Sequence, residues 1–451
     1  MTSLRHGHEP ATDGSAAQRR RAVVSSTLGS SIEWYDFYLY GVAAATIFNH
    51  QFFPAGTSPY VGTLLAFSTY AVGFLARPLG GLVFGHFGDR VGRKKALVVT
   101  ILMMGGATFL CGLLPTYAAI GIWAPLALTA LRFLQGIGVG GEWGGATLMV
   151  TEQSPARRRG LFGALPQLGV AFGALTSNGL FSLISATMDE RSFQAWGWRL
   201  PFLFSAVLVA IGLYIRLSLA ESPAFQQLRE EGKIEKKPIV TVLRQQPLTI
   251  LRVAGIRVAD IGNYYVWTSF VLAYAVTIGL SSNDILVPTL IVSAVSLLTI
   301  PMWGAISDRL GRRRTIMVGG VVMAALSYPF FWAVDTRNWS LILLVLLIGI
   351  NLGRDACYAP QAAYFTEMFP AQVRYSGASI GPQLAAVFGG CAPLIATALA
   401  GPDFGGIAQV VGLVVVMSLV TFVAALASKE TAFALTGRDA AAVPAAGGNA
   451  S

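Results

Sequence analysis

Apolar stretches of about 20 residues recur along the whole chain, from Val23 to Ala427. A helix of about 20 apolar residues is long enough to cross a hydrocarbon layer of roughly 30 Å. Only 12% of the 451 residues are charged, about half the share found in soluble domains. A soluble chain would instead show short amphipathic helices or alternating strands. The sequence therefore predicts an all-α membrane protein that spans the bilayer many times.

The chain has a net charge of +10, and its basic residues cluster in alternate linkers between these stretches. The basic groups are Arg90, Arg93, Lys94 and Lys95, then Arg157, Arg158 and Arg159, then Arg309, Arg312, Arg313 and Arg314. The intervening linkers, near residues 54, 115, 281 and 402, contain no lysine or arginine. Cytoplasmic loops carry this excess of positive charge, so both termini are expected in the cytoplasm. A nucleic-acid-binding surface would not skip every other loop, and no nucleic-acid partner is expected.

Twelve apolar runs fall into two sets of six, which predicts two six-helix bundles. We expect a disordered N-terminus at 1–22, a first bundle at 23–219, a cytoplasmic linker at 220–249, a second bundle at 250–427 and a disordered tail at 428–451. Both ends are polar or rich in Ala and Gly. The N-terminus lacks the small-residue cleavage pattern of a signal peptide, so the first run should remain as a helix.

Two motifs occur once in each half and in the same order. Gly85-x-x-x-Asp89-Arg90-x-Gly92-Arg93 follows the second run, and Gly304-x-x-x-Asp308-Arg309-x-Gly311-Arg312 follows the eighth. Glu152-x-x-Pro155-x-x-x-Arg159 follows the fourth run, and Glu367-x-x-Pro370-x-x-x-Arg374 follows the tenth. Repeated motifs at similar separation indicate an internal duplication. Duplicated halves are typical of a carrier whose site lies between them and opens alternately to each side.

These loops resemble the hallmark of the major facilitator superfamily, and the resemblance covers residues 23–430. Further stretches resemble its metabolite:H⁺ symporter branch: Ile32–Phe37, Phe74–Gly81, Gln135–Trp143 and Glu221–Phe225. The resemblance implies a monomeric transporter of the bacterial inner membrane that carries shikimate-like acids, di- or tricarboxylates, or proline and betaine. The osmolyte carriers of this branch typically add a long C-terminal coiled coil, which the short tail here does not provide.

Charged residues inside the first and fourth runs are candidates for proton coupling. An ionisable group at the bilayer centre costs at least about 2.5–3.5 kcal/mol, so each needs a partner or a purpose. Glu33 and Asp36 share one helical face, and two carboxylates this close do not both ionise easily. Arg132 and Asp36 resemble the Arg–Asp pair of proton-coupled sugar porters, and Glu142 lies further along the fourth run. The alternative is a permanently charged structural pair.

Polar residues in the fourth, seventh and tenth runs are candidates for substrate binding. They are Arg132, Gln135, Arg257, Asp260, Tyr264, Arg354, Tyr358 and Gln361. Members of the family usually have a glutamate in place of Asp260. The first, fourth, seventh and tenth helices line the cavity in this superfamily. An arginine would bind a carboxylate through its planar guanidinium, while a structural role remains the alternative for Arg257 and Arg354.

The duplicated loops and Arg77 are candidates for gating. In the loops, the aspartate can cap a neighbouring helix while an arginine reaches an acidic partner; a loop that only sets topology is the alternative. The predicted gating residues are Arg77, Gly85, Asp89, Arg90, Gly92, Arg93, Glu152, Asp308, Arg309, Arg312 and Glu367. Arg77 is expected to pair with a carboxylate of the first run.

The scattered cysteines and histidines have no metal-like spacing, so no metal and no cofactor are expected. The absence of a visible nucleophile–base pair argues against an enzyme. The function predicted from the sequence is proton-driven import of a small organic acid. The alternatives are an osmolyte symporter, a drug/H⁺ antiporter, whose typical pattern the fifth run lacks, and a membrane sensor that binds without transport.

Overall fold

The computed structural model describes residues 13–91, 93–140, 143–152, 154–218, 238–369 and 374–433. These residues form helices joined by short turns, with no strand among them. Six long segments make up the first half: α1 (13–51), α2 (Pro59–Val91), α3 (Arg93–Leu113), α4 (Trp123–Gly140 and Trp143–Glu152), α5 (Ala156–Thr187) and α6 (Arg199–Ser218). Six more make up the second: α7 (247–277), α8 (Asn283–Leu310), α9 (Arg312–Asp335), α10 (Trp339–Glu367), α11 (374–400) and α12 (Ile407–Leu426).

Seven of the described helices are long and apolar enough to cross a membrane. An eighth span is formed by α6 together with the preceding segment, Glu190–Gly197, across a bend of 45°. The apolar part of α3 is shorter, Val98–Leu113. The segments α1, α4 and α7 fall below the same threshold, and each carries charged side chains in its buried middle. The twelve apolar runs of the sequence correspond to the twelve segments, three of which are more polar than an ordinary span.

The two halves repeat the same pattern of helix packing. In the first half α1 packs chiefly on α5, α2 on α4, and α3 on α6. In the second half the equivalent helices pair in the same way: α7 with α11, α8 with α10, and α9 with α12. The halves meet where α2 packs on α11 and where α5 packs on α8. The duplication relates α2 to α8 and α5 to α11, so it converts each of these contacts into the other, as expected for a pseudo-two-fold arrangement.

Glycines allow the closest helix pairs to approach. A Cβ atom on Gly136 of α4 would overlap the Gly73 carbonyl of α2, and one on Gly140 would overlap the Arg77 carbonyl. Small residues at such contacts let backbones approach within membranes. The glycines of α4 therefore allow α2 and α4 to pack closely.

Three of the helices with buried charged side chains, α1, α7 and α10, contain a π-helical segment. These segments are Ala44–Phe48 in α1, Val266–Phe270 in α7 and Leu347–Arg354 in α10. A π-helical turn interrupts the regular hydrogen bonding of an α-helix and often marks a functional region. In α1 and α7 it comes shortly after the buried carboxylates, so the same stretch of helix combines charge with an irregular backbone.

The ends of the chain differ from the simplest expectation. Helix α1 begins at Asp13, ahead of the predicted start at residue 23. Most of the predicted linker lies outside the described residues, which resume with a short helix, Pro238–Gln245. Residues 428–433, expected in the disordered tail, instead pack on the second half: Tyr364 donates a hydrogen bond to the Lys429 carbonyl at 2.7 Å. The rest of the tail, 434–451, lies outside the described residues.

Candidate functional site

Charged side chains are buried in the middle of five helices. They are Glu33 and Asp36 on α1, Arg77 on α2, Arg132 on α4, Arg257 and Asp260 on α7, and Arg354 and Asp355 on α10. Each is at most 4% exposed. Four arginines thus accompany four carboxylates, so the region is close to neutral when every group is ionised. Such groups persist inside a membrane protein only when they are paired or line a polar cavity.

In the first half, Asp36 and Arg132 lie close together without a direct ion pair. Arg132 donates to the Gln135 side chain at 3.1 Å, and Gln135 donates to the Thr108 hydroxyl at 2.6 Å. The Arg132 guanidinium lies over the ring of Tyr40, 4.4 Å from its centroid. Among the described residues, neither carboxylate oxygen of Asp36 has a hydrogen-bond partner. A buried carboxylate without a hydrogen-bond donor is much more stable as the neutral acid.

Glu33 is placed differently from Asp36, although both are on α1. Arg77 approaches the Glu33 carboxylate at 3.8 Å, which is the contact expected for Arg77. The Arg77 guanidinium lies 4.1 Å from the centroid of the Phe37 ring. Glu33 also lines a pocket between the halves that includes Trp143 and Tyr358. Its charge is therefore better compensated than that of Asp36.

In the second half, one glutamine links an arginine to a carboxylate. Arg257 donates to the Gln361 side-chain oxygen at 2.7 Å, and the Gln361 amide donates to Asp260 at 2.7 Å. The Arg257 guanidinium also lies 4.9 Å from the ring of Trp143, on α4 of the other half. The structure therefore brings Arg257 and Asp260, which helical spacing places on one face of α7, together with Gln361 of α10.

Arg354 has a carboxylate partner of its own. It donates to the adjacent Asp355 at 3.0 Å, and Thr299 of α8 donates to the other Asp355 oxygen at 2.6 Å. The guanidinium is stacked on Tyr358 at 4.1 Å and on Tyr264 at 4.9 Å. Asp355 thus fixes the Arg354 guanidinium against two of the predicted substrate-binding tyrosines.

Aromatic residues close the space between the halves. Tyr38 of α1 contacts Tyr264 of α7, with ring centroids 5.3 Å apart, and Tyr265 contacts both Tyr70 and Phe74 of α2 at 5.6 and 5.4 Å. Sequence reasoning did not select Tyr38, Tyr70 or Tyr265. For Tyr38, the signal was present in the run of aromatic residues that surrounds Asp36 on α1, residues 34–40.

The duplicated loop of the second half connects the two halves. The Asp308 carboxylate accepts hydrogen bonds from the backbone N–H groups of Gly160 and Leu161, at 2.9 and 3.0 Å, near the start of α5. Arg312 lies 2.8 Å from Asp308 and 3.5 Å from Glu367. Asp308 therefore caps a helix of the opposite half, which is the contact the gating hypothesis requires of it.

Other predicted gating residues are not part of this network or cannot be placed. Arg309 is exposed. The gating candidates Gly85, Asp89, Arg90, Gly92, Arg93 and Glu152 lie where the structure describes no side chains. Glu142, which was predicted to take part in proton coupling, also lies outside the described residues.

The segment after α12 adds a contact that sequence reasoning missed. The Glu430 carboxylate accepts from the backbone N–H groups of Arg312 and Arg313, at 2.9 and 3.1 Å, and so caps α9. The Thr431 hydroxyl donates to Glu367 at 2.5 Å. A short polar stretch beyond the last apolar run gives little indication from sequence that it docks on the loop motif.

Comparison with known proteins agrees with this architecture. The family described as "Sugar (and other) transporter" matches residues 22–260, and the "Major Facilitator Superfamily" matches residues 252–444. The shikimate transporter of Escherichia coli K12 is 43% identical over 85% of this chain and 89% of its own length. The proline/betaine transporter of Salmonella typhimurium is 35% identical over 92% of this chain and 84% of its own.

A solved structure has the same fold. The proton:xylose symporter bound to 6-bromo-6-deoxy-D-glucose superposes with a TM-score of 0.73 and 17% identity, over 92% of this chain and 97% of that one. Identity at that level shows the fold alone. The repeated packing, the loop motifs and the two family matches lead to the same conclusion: this chain belongs to the major facilitator superfamily and is a multi-pass membrane transporter with twelve helices in two related bundles, not an enzyme.

Proposed function

We propose that the chain imports a small organic acid together with protons by alternating access. The observation that carries this proposal is Asp36, which is 1% exposed and has no hydrogen bond to either oxygen among the described residues. A carboxylate so placed favours the protonated form, because burial penalises the charge. When the carboxyl is neutral, the positive charge of Arg132 is left without compensation nearby. An anionic substrate then supplies the negative charge that compensates Arg132.

The same logic supports an anion as the substrate. Arginines reach the region between the bundles from α4, α7 and α10, and their planar guanidinium groups suit a carboxylate. The proposed substrate contacts are Arg132, Gln135, Arg257, Tyr264, Arg354, Tyr358 and Gln361. Tyrosine hydroxyls and the glutamine amide would bind hydroxyl or oxo groups of the acid. Similarity to a shikimate transporter favours a hydroxylated ring acid within this class.

A zwitterionic osmolyte is the second candidate. Similarity to a proline/betaine transporter favours it, and so does the equal number of buried arginines and carboxylates. The adjacent, tilted rings of Tyr38 and Tyr264 could hold a quaternary ammonium group through cation–π contact. The loss of one carboxylate charge on protonation makes the acid the better fit.

We also propose an orientation and a gate. The basic loops place the connections between α2 and α3, between α4 and α5, and between α8 and α9 in the cytoplasm, with both termini, in the inner membrane of a bacterium. Asp308, Arg312 and Glu367 then hold the cytoplasmic ends of the bundles together, and their release opens the site inward. The protein works as a monomer in the lipid bilayer, with protons and one solute as its partners.

Uptake into proteoliposomes tests the proposal. Vesicles with an inward-directed proton gradient should accumulate a shikimate-like acid well above its external concentration, and collapse of the gradient by a protonophore should release it. Betaine and proline serve as competing solutes, and liposomes without protein as the blank. Uptake of the acid that is unaffected by the pH gradient would refute proton coupling. Accumulation of betaine alone would select the osmolyte instead.

A further inference from the structure

The two halves contain the same arrangement of carboxylate, tyrosine and arginine. On α1, Asp36 is followed four residues later by Tyr40, whose ring centroid lies 4.4 Å from the Arg132 guanidinium. On α7, Asp260 is followed four residues later by Tyr264, whose ring centroid lies 4.9 Å from the Arg354 guanidinium. Each carboxylate belongs to the first helix of its bundle, and each arginine to the fourth. The duplication has therefore produced two equivalent sites.

Asp260 also shares the electrostatic situation of Asp36. It is 1% exposed, and one of its oxygens accepts only from the neutral amide of Gln361. Its other oxygen has no hydrogen-bond partner among the described residues. By contrast, Glu33 lies 3.8 Å from Arg77, and Asp355 lies 3.0 Å from Arg354. Within the described part of the chain, Asp36 and Asp260 are thus the two mid-membrane carboxylates with no arginine within ion-pair distance.

The surroundings of Asp260 contain positive charge but offer no direct contact to it. Helix α7 itself contributes Arg257 and Tyr264, and α10 contributes Arg354, Cys357, Tyr358 and Gln361. Helix α9 faces this region with Met323, and α12 with the hydroxyls of Ser418 and Thr421. Helix α11 carries the thiol Cys391, and beyond Arg374 at its first residue, whose side chain lies outside the described residues, neither α11 nor α12 contains a charged residue. Arg354 is already neutralised by Asp355, so Arg257 is the cation that Asp260 balances, through Gln361.

We propose that Asp260 is a second proton-binding site, and that its protonation releases Arg257 to bind the carboxylate of the substrate. This inference rests on the proposed function and extends it to the second bundle. A proton on Asp260 removes the negative charge that Gln361 relays to Arg257. The uncompensated guanidinium then requires an anion, because an unpaired buried charge is costly. Asp36 and Arg132 perform the corresponding exchange in the first bundle, where Arg132, unlike its equivalent Arg354, has no carboxylate within ion-pair distance among the described residues.

Two protons carried with one monoanion give the transport cycle a net positive charge. One proton per monoanion would be electroneutral and would ignore the membrane potential. One elementary charge across 100 mV corresponds to about 2.3 kcal/mol, which is roughly a 50-fold accumulation at equilibrium. The potential therefore separates the two stoichiometries even when the pH is equal on both sides.

The test uses proteoliposomes at equal internal and external pH, with a potassium gradient and valinomycin to make the inside negative. The probe is the acid that the wild-type protein accumulates in a pH gradient. Wild type should accumulate this monoanion up to about 50-fold at 100 mV. Asp260→Asn should lose the response to potential and keep about tenfold accumulation per unit of pH gradient. Asp403→Asn, which changes an exposed carboxylate in the turn before α12, is the matched control and should behave as wild type.

A measurement without transport covers the case in which Asp260→Asn is inactive. Purified protein in weakly buffered detergent solution, at a pH high enough to ionise both carboxyls in the absence of the acid, should take up two protons per acid bound, and Asp260→Asn should take up one. Proton uptake by Asp260→Asn equal to that of wild type overturns the inference. So does wild-type transport that is driven by a pH gradient but indifferent to potential, and the proposed function survives that result. Wild type that accumulates no acid in any gradient removes the proposed function itself.

Discussion

Removing the cap that Asp308 places on α5 should shift the protein toward the state in which the cytoplasmic ends of the bundles separate. The substitution is Asp308→Ala. It deletes two hydrogen bonds, to the N–H groups of Gly160 and Leu161, that exist only while the halves are in contact. The ion pair with Arg312 belongs to the second bundle alone, so its loss affects both states alike.

The expected change in the free-energy difference between the closed and open forms follows from the contact between the bundles. A helix N-cap is worth about 0.5–2 kcal/mol, and the buried Arg312 would then face the positive end of α5 without its carboxylate, which adds up to about 1 kcal/mol. A total near 2 kcal/mol changes the ratio of closed to open forms about 30-fold. Arg312 keeps its contact with Glu367 at 3.5 Å, so the protein should still fold.

Spin labels at Arg158→Cys and Arg309→Cys would report this change, because both side chains are exposed and lie on opposite sides of the contact. The distance between the two labels, measured by double electron–electron resonance, should show a new and longer population in Asp308→Ala. The matched control is Asp284→Ala at the other end of α8, which removes a bond to the Ser281 N–H within the same bundle. An unchanged distance distribution, or an equal shift in the control, would refute the assignment of Asp308 as a gate.

Three further substitutions test separate parts of the account. Gly140→Ala should lower the thermal midpoint of the purified protein by the equivalent of about 1–3 kcal/mol of overpacking, whereas Gly412→Ala, with open space around it, should not; equal midpoints would contradict the close packing of α2 and α4. Gln361→Leu should lower the free energy of unfolding by about 3 kcal/mol, since two charge-assisted hydrogen bonds are lost. It should also weaken acid binding measured by calorimetry, and wild-type affinity would rule out the proposed link from Asp260 through Gln361 to Arg257. Arg354→Lys should raise KM for uptake at least tenfold, because lysine lacks the planar stacking on two tyrosines; an unchanged KM would assign Arg354 a structural role.

The fold could be predicted from the sequence because its main signals are local or repeated. Apolar runs set the number of helices, and the recurrence of Asp89 and Asp308 in one motif indicated two related halves. The buried positions of Asp36, Arg132 and Arg354 also followed, since a charged residue within an apolar run must turn away from lipid. The direct contact of Arg77 with Glu33 was of the same kind, because neighbouring helices α1 and α2 leave few alternatives.

The partners of the charged residues could not be predicted with the same success. Helical spacing places Arg257 and Asp260 on one face, but only the packing of α10 inserts Gln361 between them. The docking of Glu430 on the start of α9 depends on where the chain returns after α12, which no periodicity encodes. The equivalence of Asp36 and Asp260 was visible as Asp-x-x-x-Tyr in both halves, yet it gains meaning only when each tyrosine is seen to carry an arginine.

The central claim is that Asp36 couples the transport of an organic acid to protons, and Asp36→Asn tests it most directly. The amide keeps the size of the side chain and cannot exchange a proton. Two assays are compared in the same proteoliposomes: exchange of labelled for unlabelled acid, which needs no net proton movement, and net uptake driven by a pH gradient. The account predicts that Asp36→Asn retains exchange and, with one coupled proton fewer, accumulates about tenfold less acid than wild type per unit of pH gradient. Accumulation by Asp36→Asn that still follows the pH gradient as in wild type would contradict it.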